Sequence, residues 1–346
     1  MFYLPTEDLE HIWKKANRCL PELMNAKIFM TGATGFFGQW LLESVHYANH
    51  FFDTKIEVLA LTRSASGFIK KSPHLAQALW LNFLEGDVRH FSFPQNEFTH
   101  VIHAATDASA ALNQANPMLM LDTTFLGTRR VLEFAKQAQV KSFLLTSSGA
   151  VYGKQPDDIE NITESYTDAE NPIEQNSAYG MGKLAAEYLS LLYFQQYKLP
   201  VKIARCFAFV GPHLPLDTHF AIGNFISNAL NQEQISIAGD GSPYRSYLYA
   251  ADLMIWLWTI LCHGTSGRSY NVGSDQAINI ADLAQLVAVS VTPSLAVNIA
   301  QIKNPNVSAQ RYVPSTERAK QELDLDLWVD LPTAIHRTIN WNRSSR

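Results

Sequence analysis

Short apolar runs alternate along the chain with longer stretches in which apolar positions recur every three or four residues. The runs Lys27–Thr31, Ile56–Leu61, Leu81–Leu84, Thr99–His103, Ser142–Thr146 and Val201–Cys206 have the length and largely apolar character of strands buried on both faces. The segments between them have helical length and spacing. In Phe37–Val45, for instance, Phe37, Leu41, Leu42 and Val45 share one helical face. Strands and helices in alternation predict an α/β fold, a parallel sheet covered by helices on both sides. The apolar stretch Leu253–Cys262 is too short to span a bilayer and predicts a buried helix.

The pattern changes at both ends. Residues 1–26 precede the first strand and predict a helical packing extension, with Thr6 capping a helix over Glu7–Ala16 and two acids in its first turn. Residues 27–206 carry the strand–helix alternation of the main domain. After about residue 207 the rhythm loosens, and Gly, Pro and His become frequent in "VGPHLPLDTH" and "GDGSPYRS". This predicts a smaller C-terminal α/β region over 207–346 that carries the substrate pocket, with about 244–275 returning to the main domain.

Bulk properties narrow the chemistry. With 346 residues, 47% of them hydrophobic, the chain can bury a large core. A net charge of −5 leaves no basic surplus, which argues against nucleic acid as a partner. An anionic ligand has to meet a local cationic site instead. Cys19, Cys206 and Cys262 form no metal-ligand spacing, so no metal is expected and a reducing cytoplasm is the simplest setting. The opening segment lacks the apolar core of a secretion signal, and no membrane partner is expected.

The stretch "IFMTGATGFFGQWLLESV" sets Gly32, Gly35 and Gly38 directly after a predicted strand and at the start of a predicted helix. Gly32 permits a tight turn, Gly35 lets backbone approach a pyrophosphate, and Gly38 lets helix and strand pack closely. The helix N-terminus offers free N–H groups and a favourable dipole to phosphate. Further on, Tyr179 and Lys183 stand one helical turn apart and present both side chains on one face. Ser148 falls at the end of the fifth strand, beside Ser147 as the adjacent candidate. A free tyrosine titrates near ~10, and acting as a base near neutrality requires stabilising its phenolate by roughly 4 kcal/mol. The Lys183 ammonium and a positive nicotinamide ring supply stabilisation of the right sign. Ser148 would hold the same substrate hydroxyl while the proton moves.

Together, the Gly-x-x-Gly-x-x-Gly loop, the serine-containing strand end and Tyr-x-x-x-Lys resemble the extended short-chain dehydrogenase/reductase family, in its nucleotide-sugar epimerase/dehydratase branch. The resemblance runs from about Lys27 to Trp341. It implies a Rossmann-type doubly wound sheet that binds NAD(P) through Gly32, Thr34, Gly35, Phe36, Phe37 and Gly38. Asp87 and Val88 would border the adenine, Ala104 and Ala105 would line the cofactor, and Tyr179 and Lys183 would meet its nicotinamide end. The family pattern puts the catalytic hydroxyl four residues before Tyr152, which selects Ser148. The resemblance also implies a nucleotide-diphosphate sugar as substrate. Arg245 in "GDGSPYRSYLYAADL" matches an arginine that clamps the diphosphate, and a guanidinium fork suits paired phosphate oxygens. Arg311 in "QRYVPST" matches a second arginine, and Asn224 in "IGNFI" a substrate-contacting amide. Ala208 and Thr124 depart from the family, standing where Asn is frequent. His213 and His219 are candidates for the pocket wall, although a lone loop histidine is more often structural. The helices around Met118–Gln137 and Ala178–Tyr197 match those that form a homodimer contact.

Two features bear on the reaction. The second strand, "IEVLALTRS", ends in Thr62 and Arg63 rather than in an acid that would accept hydrogen bonds from the ribose 2′-OH. Arg63, with Ser64 or Ser66, can pair with a 2′-phosphate, which leans toward NADP(H); the alternative is an Arg63 that stacks on adenine or faces solvent. In "LTSSGAVYG", Gly149 and Ala150 stand where family dehydratases carry Asp-Glu and where decarboxylases carry Glu at the second position. Neither can transfer a proton. The expected chemistry therefore needs only hydride and one proton, as an epimerase or 4-ketoreductase, with dehydration and decarboxylation disfavoured. A non-catalytic NADP(H)-binding sensor is the rival outside enzymes, and the intact Ser148, Tyr179 and Lys183 argue against it.

Overall fold

The six apolar runs form six strands, and a seventh joins them from the C-terminal part of the chain. In the computed structural model, which describes residues 3–106, 110–174, 176–217 and 220–344, these are β1 (Lys27–Thr31), β2 (Glu57–Thr62), β3 (Leu81–Glu85), β4 (His100–His103), β5 (Ser142–Ser148), β6 (Val201–Cys206) and β7 (Arg268–Val272). They lie in the order β7-β6-β5-β4-β1-β2-β3, all parallel. The fold is the expected doubly wound α/β sheet. Boundaries differ slightly from the apolar runs: β2 begins at Glu57, β4 at His100, and β5 continues to Ser148.

Successive side chains of a strand point to opposite faces, so each strand feeds two cores. Ile28 and Met30 enter the core that also holds Trp40, Leu41 and the helix Ala250–His263. Phe29 enters the other, against Phe91 and Phe134, with residues of the helices Pro117–Gln137 and Ala178–Tyr197. Each such fully buried large side chain contributes roughly 1.5–3 kcal/mol.

The helix Ala250–His263 is buried on almost every side because the N-terminal extension covers its outer flank. Trp13 packs against Trp258, ring centres 5.7 Å apart and tilted, and donates to the Ser44 carbonyl at 2.8 Å, while His11 meets Asp252 at 3.3 Å. The extension's helix runs Thr6–Lys15. Thr6 does not cap it: Pro5 occupies the cap position and no side chain accepts from the first turn. Asp8 is likewise not an exposed dipole partner. It is fully buried, accepts from the Tyr249 hydroxyl at 2.6 Å, and pairs with Arg337. Desolvation raises its pKa, and only these two partners oppose that. Asp8→Ala would leave Arg337 and Tyr249 without their acceptor and should cost about 3 kcal/mol, read as a lower denaturation midpoint with an unchanged m-value.

After β6 the chain builds a smaller layer from the helices Ala221–Asn231, Ile280–Val289 and Leu331–Ser344. A three-stranded ribbon accompanies them, in the order Ile278–Asn279, Tyr244–Arg245, Arg311–Tyr312. Between these pieces, Ala250–His263 and β7 return to the main sheet. Among the described residues, no helix is long and apolar enough to cross a membrane.

Candidate active site

Strand order reverses between β1 and β4, and in such sheets the crevice at that point, outside the carboxyl ends of the strands, receives ligands. The glycine loop lies across it. Gly32 has φ +74°, and a Cβ there would lie 2.5 Å from the carbonyl of Ala104 at the end of β4. A Cβ on Gly38 would lie 2.3 Å from the backbone of Ala33, so the helix Phe36–Phe52 can sit this close only with glycine. Gly35 is different. Its Cβ would meet nothing nearer than the Gly32 carbonyl oxygen at 3.5 Å. Gly35 also caps the helix, and no side chain accepts from the first turn. An open backbone surface ending in free N–H groups fits the pyrophosphate of a dinucleotide. Thr34 is exposed on this loop, while Phe36 and Phe37 are half-buried, Phe37 edge-on to Phe209 at 5.2 Å.

The floor of the cradle is tied down by hydrogen bonds. Thr31 Oγ1 accepts from the Ala105 N–H at 3.1 Å and lies 2.7 Å from His103 Nδ1; His103 Nε2 lies 3.0 Å from Thr128 Oγ1. Burial, then the charge of Lys183, lowers the His103 pKa to about 3, so this histidine is neutral and structural. Ala104 and Ala105 are half-buried beside it. Asp87 is bound by Arg89 through both carboxylate oxygens at 2.9 Å, and that hydrogen bonding lowers its pKa to about 2. Val88 is buried against Gly127, and Arg63 is exposed at the end of β2.

Ser148, Tyr179 and Lys183 converge. Ser147 turns away, its hydroxyl donating to Glu187 at 2.5 Å, which leaves Ser148 as the hydroxyl beside Tyr179. Lys183 is buried and donates to Thr106 Oγ1 at 2.9 Å and to the Thr146 carbonyl at 2.7 Å. Its Nζ lies 5.9 Å from the centre of the Tyr179 ring. Burial lowers the Lys183 pKa to about 8. Among the protein's own groups, burial raises the Tyr179 pKa to about 12 against the opposing hydrogen bond from Ser148. The ammonium spends its hydrogen bonds on Thr106 and Thr146, so it does not by itself turn Tyr179 into a base.

The structure also brings in residues that the sequence motifs did not mark. Tyr312 lies with its hydroxyl 3.5 Å from Ser148 Oγ, and its ring packs on Phe207 at 4.7 Å. A Cβ on Gly149 would lie 2.7 Å from both the Phe207 ring and the Tyr312 hydroxyl. Behind this wall runs a buried polar chain. Arg205 binds Glu187 at 2.7 Å and donates to Tyr152 OH at 2.8 Å; Tyr152 donates to Asn271 Oδ1 at 2.7 Å. Asn271 in turn donates to the carbonyls of Ile162 and Ser315, and Ile162 exchanges backbone hydrogen bonds with Val313 and Ser315.

The expected substrate contacts do not all converge. In the ribbon, Tyr312 pairs with Arg245 and Arg311 with Tyr244. Paired residues share a face and neighbours alternate, so Arg245 stands on the Tyr312 side and Arg311 on the opposite one. Arg311 instead covers the Tyr244 ring at 4.6 Å and donates to the Glu160 carbonyl at 3.2 Å. Asn224 is exposed on the first turn of Ala221–Asn231. His213 packs on Trp341 at 4.6 Å and burial lowers its pKa to about 4, a structural role. His219 lies outside the described residues.

A dinucleotide cradle at the switch point, with a serine, tyrosine and lysine beside it, defines a Rossmann oxidoreductase of the extended short-chain dehydrogenase/reductase type. The chain belongs to the NAD dependent epimerase/dehydratase family, whose sequence model matches residues 28–273. It is 28% identical over 299 residues to UDP-glucuronic acid decarboxylase 6 of Arabidopsis thaliana, covering 86% of this chain and 83% of that protein. Among solved structures it resembles Pal from Bacillus thuringiensis, with a TM-score of 0.76, 26% identity and coverage of 92% of this chain and 100% of that one. It also resembles the UDP-glucose 4-epimerase of Thermotoga maritima solved with UDP-glucose, with a TM-score of 0.76, 21% identity and coverage of 92% and 99%.

Proposed function

We propose that the chain acts on a nucleotide-diphosphate sugar at C4, as an epimerase or a 4-ketoreductase. One observation carries this reading. The strand end offers the Ser148 hydroxyl beside Tyr179, and neither Gly149 nor Ala150 can move a second proton. The space an acid at position 149 would enter is filled by Phe207 and Tyr312. The similarity to a decarboxylase favours a second reading, removal of a sugar carboxylate. The absence of a carboxylate at position 150 weighs against it.

In this reading Ser148 holds the reacting sugar hydroxyl and Tyr179 takes its proton, or returns it in the reverse direction. Lys183 holds the nicotinamide ribose from the anchorage given by Thr106 and Thr146. When bound, the nicotinamide accepts or returns hydride at the sugar carbon and, oxidised, adds a positive charge. A phenol raised by burial needs such a charge before it can serve as a base near neutrality. Taken alone, the exposed Arg63 favours NADP(H). Arg245 is proposed to pair with the diphosphate, and Arg245→Ala should weaken nucleotide-sugar binding by about tenfold to a hundredfold, measured by calorimetry. Exposed Met118, Leu126, Tyr188 and Tyr197 on Pro117–Gln137 and Ala178–Tyr197 support a homodimer through these helices.

The test is incubation with UDP-glucose, UDP-glucuronate and a 4-keto sugar nucleotide, followed by proton NMR. Inversion or reduction at C4 is expected. Release of carbon dioxide with a UDP-pentose would replace this reading with decarboxylation.

A further inference from the structure

The acid missing from the end of β2 stands at the end of β3. Thr62 and Glu85 end these two strands and are direct partners in the parallel register. From Thr62 the chain passes through Arg63 and Ser64 into the short helix Ala65–Lys71, and Glu85 reaches across to this turn. Its Oε1 accepts from the Ala65 N–H at 3.0 Å. Other donors of the turn are also engaged. The Ser64 N–H donates to Thr62 Oγ1 at 3.2 Å, and the Gly67 N–H donates to Ser64 Oγ at 3.1 Å. Ser64 Oγ lies 3.3 Å from Ser66 Oγ. Arg63 therefore remains as the turn's cation, with a carboxylate fixed on the same turn.

We propose that Glu85 selects NAD(H) over NADP(H), supplying from the third strand the acceptor that an acid at the end of the second strand would supply. A ribose 2′-OH is a donor and suits a carboxylate that keeps one oxygen, Oε2, without a partner among the described residues. A 2′-phosphate brings at least one negative charge to the same turn, where Glu85 repels it and offsets the attraction of Arg63. This reverses the lean toward NADP(H) drawn from Arg63 alone. It rests on the cofactor site at the glycine loop and does not depend on the identity of the sugar.

The experiment measures NADH and NADPH affinities by fluorescence titration for the wild-type chain, Glu85→Gln, Glu85→Ala and Glu85→Gln/Arg63→Ala. Glu85 is exposed, so these variants should fold, and thermal unfolding checks that they do. The wild type should bind NADH more tightly. Either Glu85 variant should move the NADH-to-NADPH preference toward NADPH by about tenfold or more. Adding Arg63→Ala should remove the NADPH gain. A wild type that prefers NADPH, or a preference unmoved in both variants, overturns the assignment to Glu85 while leaving the cofactor site standing. Failure of the wild type to bind either dinucleotide overturns the cofactor site itself, and the role of Glu85 with it.

Discussion

Tyr179→Phe should abolish turnover, by at least about a thousandfold, while leaving the dinucleotide affinity within about twofold of wild type. The substitution removes one hydroxyl. Lys183 keeps its bonds to Thr106 and Thr146, neither of which involves Tyr179, so the cofactor side of the site is undisturbed. What is lost is the group that moves the proton. The wild-type pH dependence carries a second part of this expectation. Burial holds the free-enzyme Tyr179 at about 12 and Lys183 at about 8. Tyr179 is therefore protonated across the neutral range before cofactor binds. A spectroscopic titration should find no phenolate from Tyr179 at pH 8 without NAD+, and a Tyr179-dependent phenolate signal once NAD+ is added. Undiminished turnover in Tyr179→Phe would refute the role.

The glycines of the loop should separate into two kinds. Gly32→Ala places a Cβ at a positive φ and 2.5 Å from the Ala104 carbonyl, so β4 or the loop has to move. The strained backbone and the overlap together should cost about 3 kcal/mol or more and remove cofactor binding with it. Gly35→Ala meets only an ordinary contact at 3.5 Å. It should fold with the wild-type midpoint and still bind dinucleotide at least about tenfold more weakly, because the added methyl stands where the pyrophosphate approaches. Equal loss of stability in both variants would show that Gly35 is there for packing and not for the ligand.

How much of this was legible in the sequence depends on how local each feature is. Six strands announce themselves as short, largely apolar runs, most of them buried on both faces. β7 does not: "RSYNV" is a polar edge strand with β6 as its one neighbour, and its Asn271 is buried to serve the polar chain, not the apolar core. The glycine loop and the Tyr179–Lys183 pair are readable because each lies on one element whose geometry fixes the spacing. Tyr312 and Glu85 are not, since each reaches its place by pairing with a distant strand. Arg245 and Arg311 look equivalent as residues, yet a two-residue strand has no periodicity from which opposite faces could be read. The height of the Tyr179 pKa before cofactor binds is not legible for a similar reason. It is set by how deeply the folded chain buries the phenol, and no spacing between tyrosine and lysine carries that.

The polar chain from Glu187 through Arg205, Tyr152 and Asn271 to the carbonyls of Ile162 and Ser315 has a mechanical consequence. It ties the segment bearing Tyr312 to β6 and β7, beside the strand that ends in Ser148, so these two hydroxyls share one wall. In the proposed reaction, that wall would present both hydroxyls to the reacting sugar from one fixed side.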